Sequence, residues 1–297
     1  MGKIVKLNPF ISEKVWGGSR LKEIKNIDTD KPIGESWDVS TLKNGSSKIS
    51  SNDLSEICEL DYLVKFIDTS DNLSIQVHPD DEYANKFENS SGKTECWIIT
   101  HALDGAGVYL GLKKNITKKE FFTAVKNGLD ISLYLNFIPV TRGDFFYIPA
   151  GAIHAIGSGV TLCEVQQASG ITYRVWDWNR LGMDGSPREL HVDKAKDVIN
   201  FTDEFNDSLI AKIKKGLLDH VGITNVVEHK DFKVQLFSNM TQKDIEINLE
   251  AKSSIVVLEG AISGDIDLDI FECGFVIEKG LLSLEVEYRS SFLVIEC

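Results

Sequence analysis

Ser74-Ile75-Gln76-Val77-His78-Pro79-Asp80-Asp81, Gly92-Lys93-Thr94-Glu95-Cys96-Trp97 and Gly143-Asp144-Phe145-Phe146-Tyr147-Ile148-Pro149-Ala150-Gly151-Ala152-Ile153-His154 lie in one stretch of the chain, residues 74 to 154. The first word follows Leu73 with strand-like alternation, so Gln76 and His78, two apart, point to the same face. In the last word, Gly, five residues, Pro-x-Gly, two residues and His read as a strand, a tight turn and a position on the next strand. Pro149 fixes φ and Gly151 permits φ > 0, as a sharp reversal needs. A lone strand histidine is ordinarily a packed or surface residue. With Glu95 and His154 brought to the same face, two imidazoles, a carboxylate and an amide oxygen form an N/O set for zinc or another borderline divalent metal, with no thiolate.

The closing run matches the second signature of the cupin family, Gly-x5-Pro-x-Gly-x2-His. The first cupin signature, His-x-His followed closely by Glu, is altered: Gln76 stands for the first His, and Glu95 lies well downstream of His78. This departure resembles the type I mannose-6-phosphate isomerases, whose zinc site is described as Gln, His, Glu and His. Gln-Val-His-Pro-Asp-Asp, Gly-Lys-Thr-Glu-Cys-Trp and Ile-Pro-Ala-Gly-x-x-His are words of that subfamily. The resemblance spans roughly residues 5 to 200 and implies a short form.

Outside that stretch, composition bounds the rest. The 297 residues, 42% hydrophobic, suffice for a substantial core in one large or two modest domains. No run approaches the ~20 apolar residues of a membrane span, and Met1-Gly-Lys-Ile-Val-Lys6 lacks a signal-peptide apolar run. Cys58, Cys96, Cys163, Cys273 and Cys297 form no Cys-x-x-Cys pair, which suggests neither a disulfide scaffold nor a thiolate zinc site. A cytoplasmic location is expected. A formal net charge of −13 argues against nucleic acid as a partner, and an anionic substrate needs a local basic pocket, for which Lys93 and Arg174 are candidates.

Residues 1 to 40 read as short strands joined by Gly turns, with Trp16 and Trp37 as core residues; the same words resemble the opening strands that flank the family's pocket. Asp80 to Phe87 reads as a short helix. Thr117 with Glu120 forms a capping box ahead of Phe121, Phe122 and Val125, and Asn127-Gly128 ends that helix. Thr161 to Gln167 alternates as a strand carrying Glu164, and Tyr173-Arg174-Val175 follows, Tyr-Arg-Val-x-Asp-x-x-Arg being another subfamily word. Residues 191 to 220 read as short helices. His101, His191, His220 and His229 lie outside any ligand word. Beyond about Lys233, period-2 strands are expected at Ile245–Leu249, Ile266–Ile270 and Leu282–Val286.

The expected fold is mostly β: a cupin double-stranded β-helix (jelly roll) with short helices, and a second, smaller β jelly roll. The expected domains are 1–232, catalytic, with the metal site and a short helical insertion, and 233–297, cupin-like and metal-free. The resemblance implies mannose-6-phosphate isomerase activity, a metal-dependent aldose–ketose interconversion through an enediolate, with one Zn²⁺ per chain held by Gln76, His78, Glu95 and His154. Four protein ligands close a tetrahedral site, so turnover requires either further ligand positions or release of Gln76. Lys93, Glu164 and Arg174 fall on positions discussed for catalysis: Arg174 for the oxyanion or phosphate, Lys93 with Ser74 for substrate oxygens, Glu164 for the proton or a metal-linked water. No dinucleotide or P-loop word occurs. The other readings are a non-catalytic sugar-phosphate-binding cupin, a metal-dependent oxygenase, and an isomerase of a different aldose. The expected partner is a small phosphorylated sugar, with the chain a monomer or weak homodimer and no membrane involved.

Overall fold

The computed structural model describes residues 2–297; Met1, where the expected first domain begins, lies outside them. Two antiparallel sheets face one another in the jelly-roll manner expected. One has six strands, in the order Phe145–Ile148, Glu95–Ala102, Val160–Gln167, Tyr62–Asp68, Ile33–Val39 and Phe10–Gly18. The other has five, in the order Leu135–Pro139, Gly107–Leu112, His154–Ile156, Ile75–Val77 and Tyr173–Trp176.

The six-stranded sheet is buried on both faces, which explains why Tyr62-Leu-Val-Lys-Phe-Ile67 reads as an apolar run and not as a clean alternation. Tyr62, Val64, Phe66, Cys96, Cys163 and Val165 point away from the five-stranded sheet, into a core shared with the second half of the chain. Ile67, Trp97, Ile99 and Leu162 belong to the opposite face. Lys65, Glu95 and Glu164 share their parity, so the two-residue period of a strand delivers all three charges to the interior of the sandwich.

A second six-stranded sheet follows the order Lys3–Lys6, Cys273–Glu278, Ser254–Glu259, Ser290–Glu296, Lys233–Asn239 and Gly222–Glu228. Val256 and Leu258 pack toward the first sandwich, whereas Ile255 and Val257 pack toward a three-stranded sheet of Lys243–Leu249, Gly280–Val286 and Ile262–Gly264. The halves are tied by the stacked rings of Phe66 and Phe271, 4.2 Å apart, and by Tyr62, whose hydroxyl donates to Lys252 O at 2.8 Å. We propose a two-unit reading in which this second pair of sheets, rather than residues 233–297 alone, is the smaller unit, because it draws in Lys3–Lys6 and Gly222–Glu228.

Local signals held at the helices. Asp80 accepts from Tyr83 N at 2.9 Å and caps Asp81–Glu88; Thr117 accepts from Glu120 N at 3.2 Å and caps Lys118–Lys126. Residues 191 to 220 form the helices Val192–Val198 and Asp203–Ala211 and a 3₁₀ turn at Leu217–Asp219. Ile266–Ile270 is a correction: it is no strand but a loop touching the sheet through one bridge, Ile262 to Leu268. Ile266 and Leu268 are buried, so the alternation there records two side chains tucked into the core without a ladder.

Candidate metal centre and pocket

The reversal that sequence placed at Pro149–Gly151 has the expected form. Gly151 has φ +83°, its N–H donates to His78 O at 2.9 Å, and the strand His154–Ile156 starts just beyond. His154 lies opposite Gln76 in the ladder, and His78 sits one residue past the end of Ile75–Val77. Glu95 enters from the facing sheet as the first residue of its strand. The ligand atoms of His78, Glu95 and His154 lie within 4.8 Å of one another, and all three residues are buried.

The hydrogen bonds fix the tautomers. His78 Nδ1 is 3.0 Å from Ile171 O and His154 Nδ1 is 2.9 Å from Ala152 O. A carbonyl can only accept, so each Nδ1 carries the proton and each Nε2 presents a lone pair. Those lone pairs face the carboxylate: His78 Nε2 to Glu95 Oε2 at 3.3 Å and His154 Nε2 to Glu95 Oε1 at 3.4 Å. Buried His78 Nε2 and Glu95 Oε1 have no hydrogen-bond partner, and Glu95 Oε2 has the Lys93 ammonium at 2.9 Å. Burial, followed by Lys93, holds the His78 imidazole down to about 3, and burial lowers His154 too, so both are neutral near pH 7. Burial pushes the Glu95 carboxyl up, but the Lys93 ammonium outweighs it and holds it well below the usual range. Two imidazole lone pairs converging on a carboxylate, with His78 Nε2 and Glu95 Oε1 left unpartnered, are what a divalent cation requires. Gln76 Nε2 lies 3.3 Å from His154 Nε2; a half turn of the amide presents its oxygen in that place.

Beside the cluster is a cavity of about 220 Å³ lined by Ser74, Lys93, Glu164 and Arg174, the predicted substrate and catalytic residues, by the expected metal ligand Gln76, and by Lys14, Glu35, Lys65 and Arg188. Lys93 Nζ is 2.9 Å from Glu95 Oε2 and 3.9 Å from Glu164 Oε1. Burial disfavours its charge, yet Glu95 and Glu164 prevail and its pKa is raised. Glu164 accepts from the Trp97 indole at 2.9 Å through Oε2, while buried Oε1 has no hydrogen-bond partner. Burial, and then the charge of Glu95, raise the Glu164 carboxyl against the pull of Lys93 and Lys65. Of four larger cavities, those of about 600 and 440 Å³ lie against the second six-stranded sheet and those of about 340 and 320 Å³ elsewhere, and none of the predicted site residues lines any of them.

Sequence reading missed four charged residues. Lys65 lies 3.6 Å from Glu164, and burial lowers its pKa. Glu35 takes the Trp37 indole N–H at 2.9 Å and faces Lys14 at 3.4 Å. Burial raises its carboxyl, but Lys65 and Lys14 overcome that and hold it at about 2. A lysine in the middle of the apolar run Leu63–Ile67 was the available signal for Lys65, since a buried strand carries a charge only where partners await it. Trp16 and Trp37 line the same cavity, so they serve the pocket as well as the packing. His191, expected to be exposed or locally bonded, accepts from the Arg174 backbone N–H at 3.2 Å. The five cysteines are free thiols, and no helix among the described residues is long and apolar enough to cross a membrane.

No protein-family model matches the chain. A probable mannose-6-phosphate isomerase of Bacillus subtilis is 39% identical over 214 residues, 65% of this chain and 67% of the relative. A mannose-6-phosphate isomerase of Streptococcus mutans is 36% identical over 214 residues, 65% of this chain and 66% of that protein. Among solved structures, the mannose 6-phosphate isomerase of Bacillus subtilis aligns with a TM-score of 0.82 at 26% identity, covering 99% of this chain and 100% of the other. The apo form of the Salmonella typhimurium enzyme aligns at 0.73 with 15% identity, covering 99% of both chains, a likeness of fold alone.

Proposed function

The chain belongs to the mannose-6-phosphate isomerase family, and from that premise we propose that it interconverts mannose 6-phosphate and fructose 6-phosphate with zinc held by His78, Glu95, His154 and Gln76. The observation that carries this reading is the convergence of buried acceptors from His78, Glu95 and His154 beside a cavity lined by basic residues. The all-N/O donor set suits zinc among the divalent metals. Zinc bound there supplies Lewis acidity to the substrate's carbonyl oxygen.

The remaining chemistry falls to the chain's own groups. Converting the aldose to the ketose moves a hydrogen from C2 to C1 and a proton from O2 to O1, with no external oxidant. Glu164 takes the C2 proton and returns it to C1; its raised proton affinity makes it a better base than a free carboxylate. The Trp97 N–H fixes Oε2, leaving Oε1 as the working oxygen. Lys93 and Lys65 flank that oxygen as donors, Lys93 remaining an ammonium in the field of Glu95 and Glu164. Arg174 lies opposite Gln76 in the strand register and lines the same cavity, where it meets charge developing on the substrate oxygens. Ser74, on the same sheet face, contacts a sugar hydroxyl.

The test is fructose 6-phosphate formation from mannose 6-phosphate by purified protein, before and after chelation and zinc readdition. Activity that falls with the chelator and returns with zinc is expected. A folded, zinc-replete protein with no turnover contradicts the assignment and favours a binding module or another aldose.

A further inference from the structure

We propose that Arg188 is a specificity-determining residue that grips the phosphate of the substrate at the outer end of the pocket, and that Asp177 is its positioning residue; this rests on the isomerase reading above. Charge is balanced locally over most of the cavity. Its three lysines each face a carboxylate: Lys14 with Glu35 at 3.4 Å, Lys65 with Glu164 at 3.6 Å and Lys93 with Glu95 at 2.9 Å. The arginine end is not balanced in this way. Arg174 makes no carboxylate pair among the described residues; its Nη1 donates to Glu189 O at 2.7 Å, and its buried Nε has no acceptor. Arg188 shares its one carboxylate, Asp177, with Arg180, whose Nη2 lies 3.0 Å from Asp177 Oδ1. Cationic charge and unused N–H groups are therefore concentrated at Arg174 and Arg188.

The local backbone presents Arg188 in a defined pose. Residues 181 to 188 form a closed turn, with a bridge between Leu181 and Pro187 and Gly182 N–H donating to Ser186 O at 2.8 Å. Arg188 then grips Asp177 with both Nε and Nη2, which fixes the guanidinium plane and leaves the Nη1 edge for a ligand. Its side chain is 22% exposed, against 6% for Lys93 and 0% for Glu95, which places it toward solvent from the metal cluster. A hexose 6-phosphate carries its carbonyl and its phosphate at opposite ends. With the carbonyl end at the cluster, the phosphate lies outward, where planar guanidinium groups suit a dianion better than ammonium groups do. In a chain of net charge −13, this is where the pocket has cation to spare.

The experiment compares wild type with Arg188→Gln, Arg188→Lys and Asp177→Asn in two measurements: steady-state kinetics on mannose 6-phosphate, and calorimetric titration with inorganic phosphate. Losing a charge-assisted contact is expected to raise KM and the phosphate Kd together in Arg188→Gln, by about 10- to 100-fold, with kcat nearly unchanged. Arg188→Lys should recover part of that loss and Asp177→Asn should show a smaller loss of the same kind, with thermal midpoints near wild type throughout. The proposal is overturned if Arg188→Gln keeps the wild-type KM and phosphate affinity, or loses kcat at constant KM. Should the wild type not turn over mannose 6-phosphate, the isomerase reading fails, and the phosphate titration still decides this corner. A weaker Kd in Arg188→Gln then upholds it, and absent or equal binding refutes it.

Discussion

Replacing Glu164 with Gln isolates proton transfer from metal binding, because Glu164 is outside the His78–Glu95–His154 cluster. The amide keeps the shape and keeps an acceptor for the Trp97 indole N–H, which lies 2.9 Å from Oε2. What is lost is a proton acceptor and one negative charge, 3.6 Å from Lys65 and 3.9 Å from Lys93. At an effective dielectric of about 20, unit charges at such a distance attract by roughly 4 kcal/mol. Much of that is offset by the desolvation the buried carboxylate no longer suffers. The repulsion from Glu95 is relieved as well, and because burial and Glu95 raise the Glu164 carboxyl against the pull of both lysines, the neutral amide should leave stability within about 1 kcal/mol of wild type. The thermal midpoint then stays within about 4 °C of wild type and the protein is folded at 25 °C. Loss of the base should reduce kcat by about 10²–10⁴-fold. Mannose 6-phosphate turnover, bound zinc by elemental analysis and the thermal midpoint on the same preparation give the test. A Glu164→Gln protein with wild-type kcat refutes the assignment of the base; one that has lost its zinc refutes the separation of base from metal site.

Further outcomes follow from the same geometry. His154→Ala should lower zinc affinity by more than the about 10–100-fold typical of second-shell changes, read by competition with a chromogenic chelator. Gly151→Ala forces a side chain into φ +83° with its Cβ 3.1 Å from Val198 O; it should cost about 1–2 kcal/mol by chemical denaturation and weaken zinc binding through the displaced His154. In chelated protein, His78 is depressed to about 3 from the ordinary 6.5. The unfolded chain then takes up the proton first, so this stabilisation is complete above pH 6.5 and is lost as pH falls toward 3, at up to ~1.4 kcal/mol per pH unit. Urea midpoints between pH 7 and 5 should fall more steeply for wild type than for His78→Gln, and parallel lines contradict the tautomer argument.

The metal cluster was legible because its scaffold is written in residues with narrow backbone uses. Pro149 and Gly151 announce the reversal that delivers His154, and the parity of Gln76 with His78 announces their common face. The capped helices after Asp80 and Thr117 were legible for the same local reason. Charges that depend on long-range pairing were not. Lys65 looks anomalous in its strand, but only the neighbouring strand shows that Glu164 waits beside it, and Glu35 gains its meaning from Lys14 on the adjacent strand and Lys65 across the pocket. Arg188 lies in a turn with no periodicity, and its value comes from a tertiary grip on Asp177. Ile266–Ile270 misled because burial of alternate residues is the strand signal, and a tucked loop produces it with a single bridge in place of a ladder.

The measurement closest to the central claim is proton NMR of mannose 6-phosphate incubated with zinc-replete protein in D₂O. Isomerisation through Glu164 predicts that fructose 6-phosphate grows in with solvent deuterium at C1, and that Glu164→Gln suppresses both signals together. A folded, metal-loaded protein that leaves mannose 6-phosphate unchanged contradicts the account.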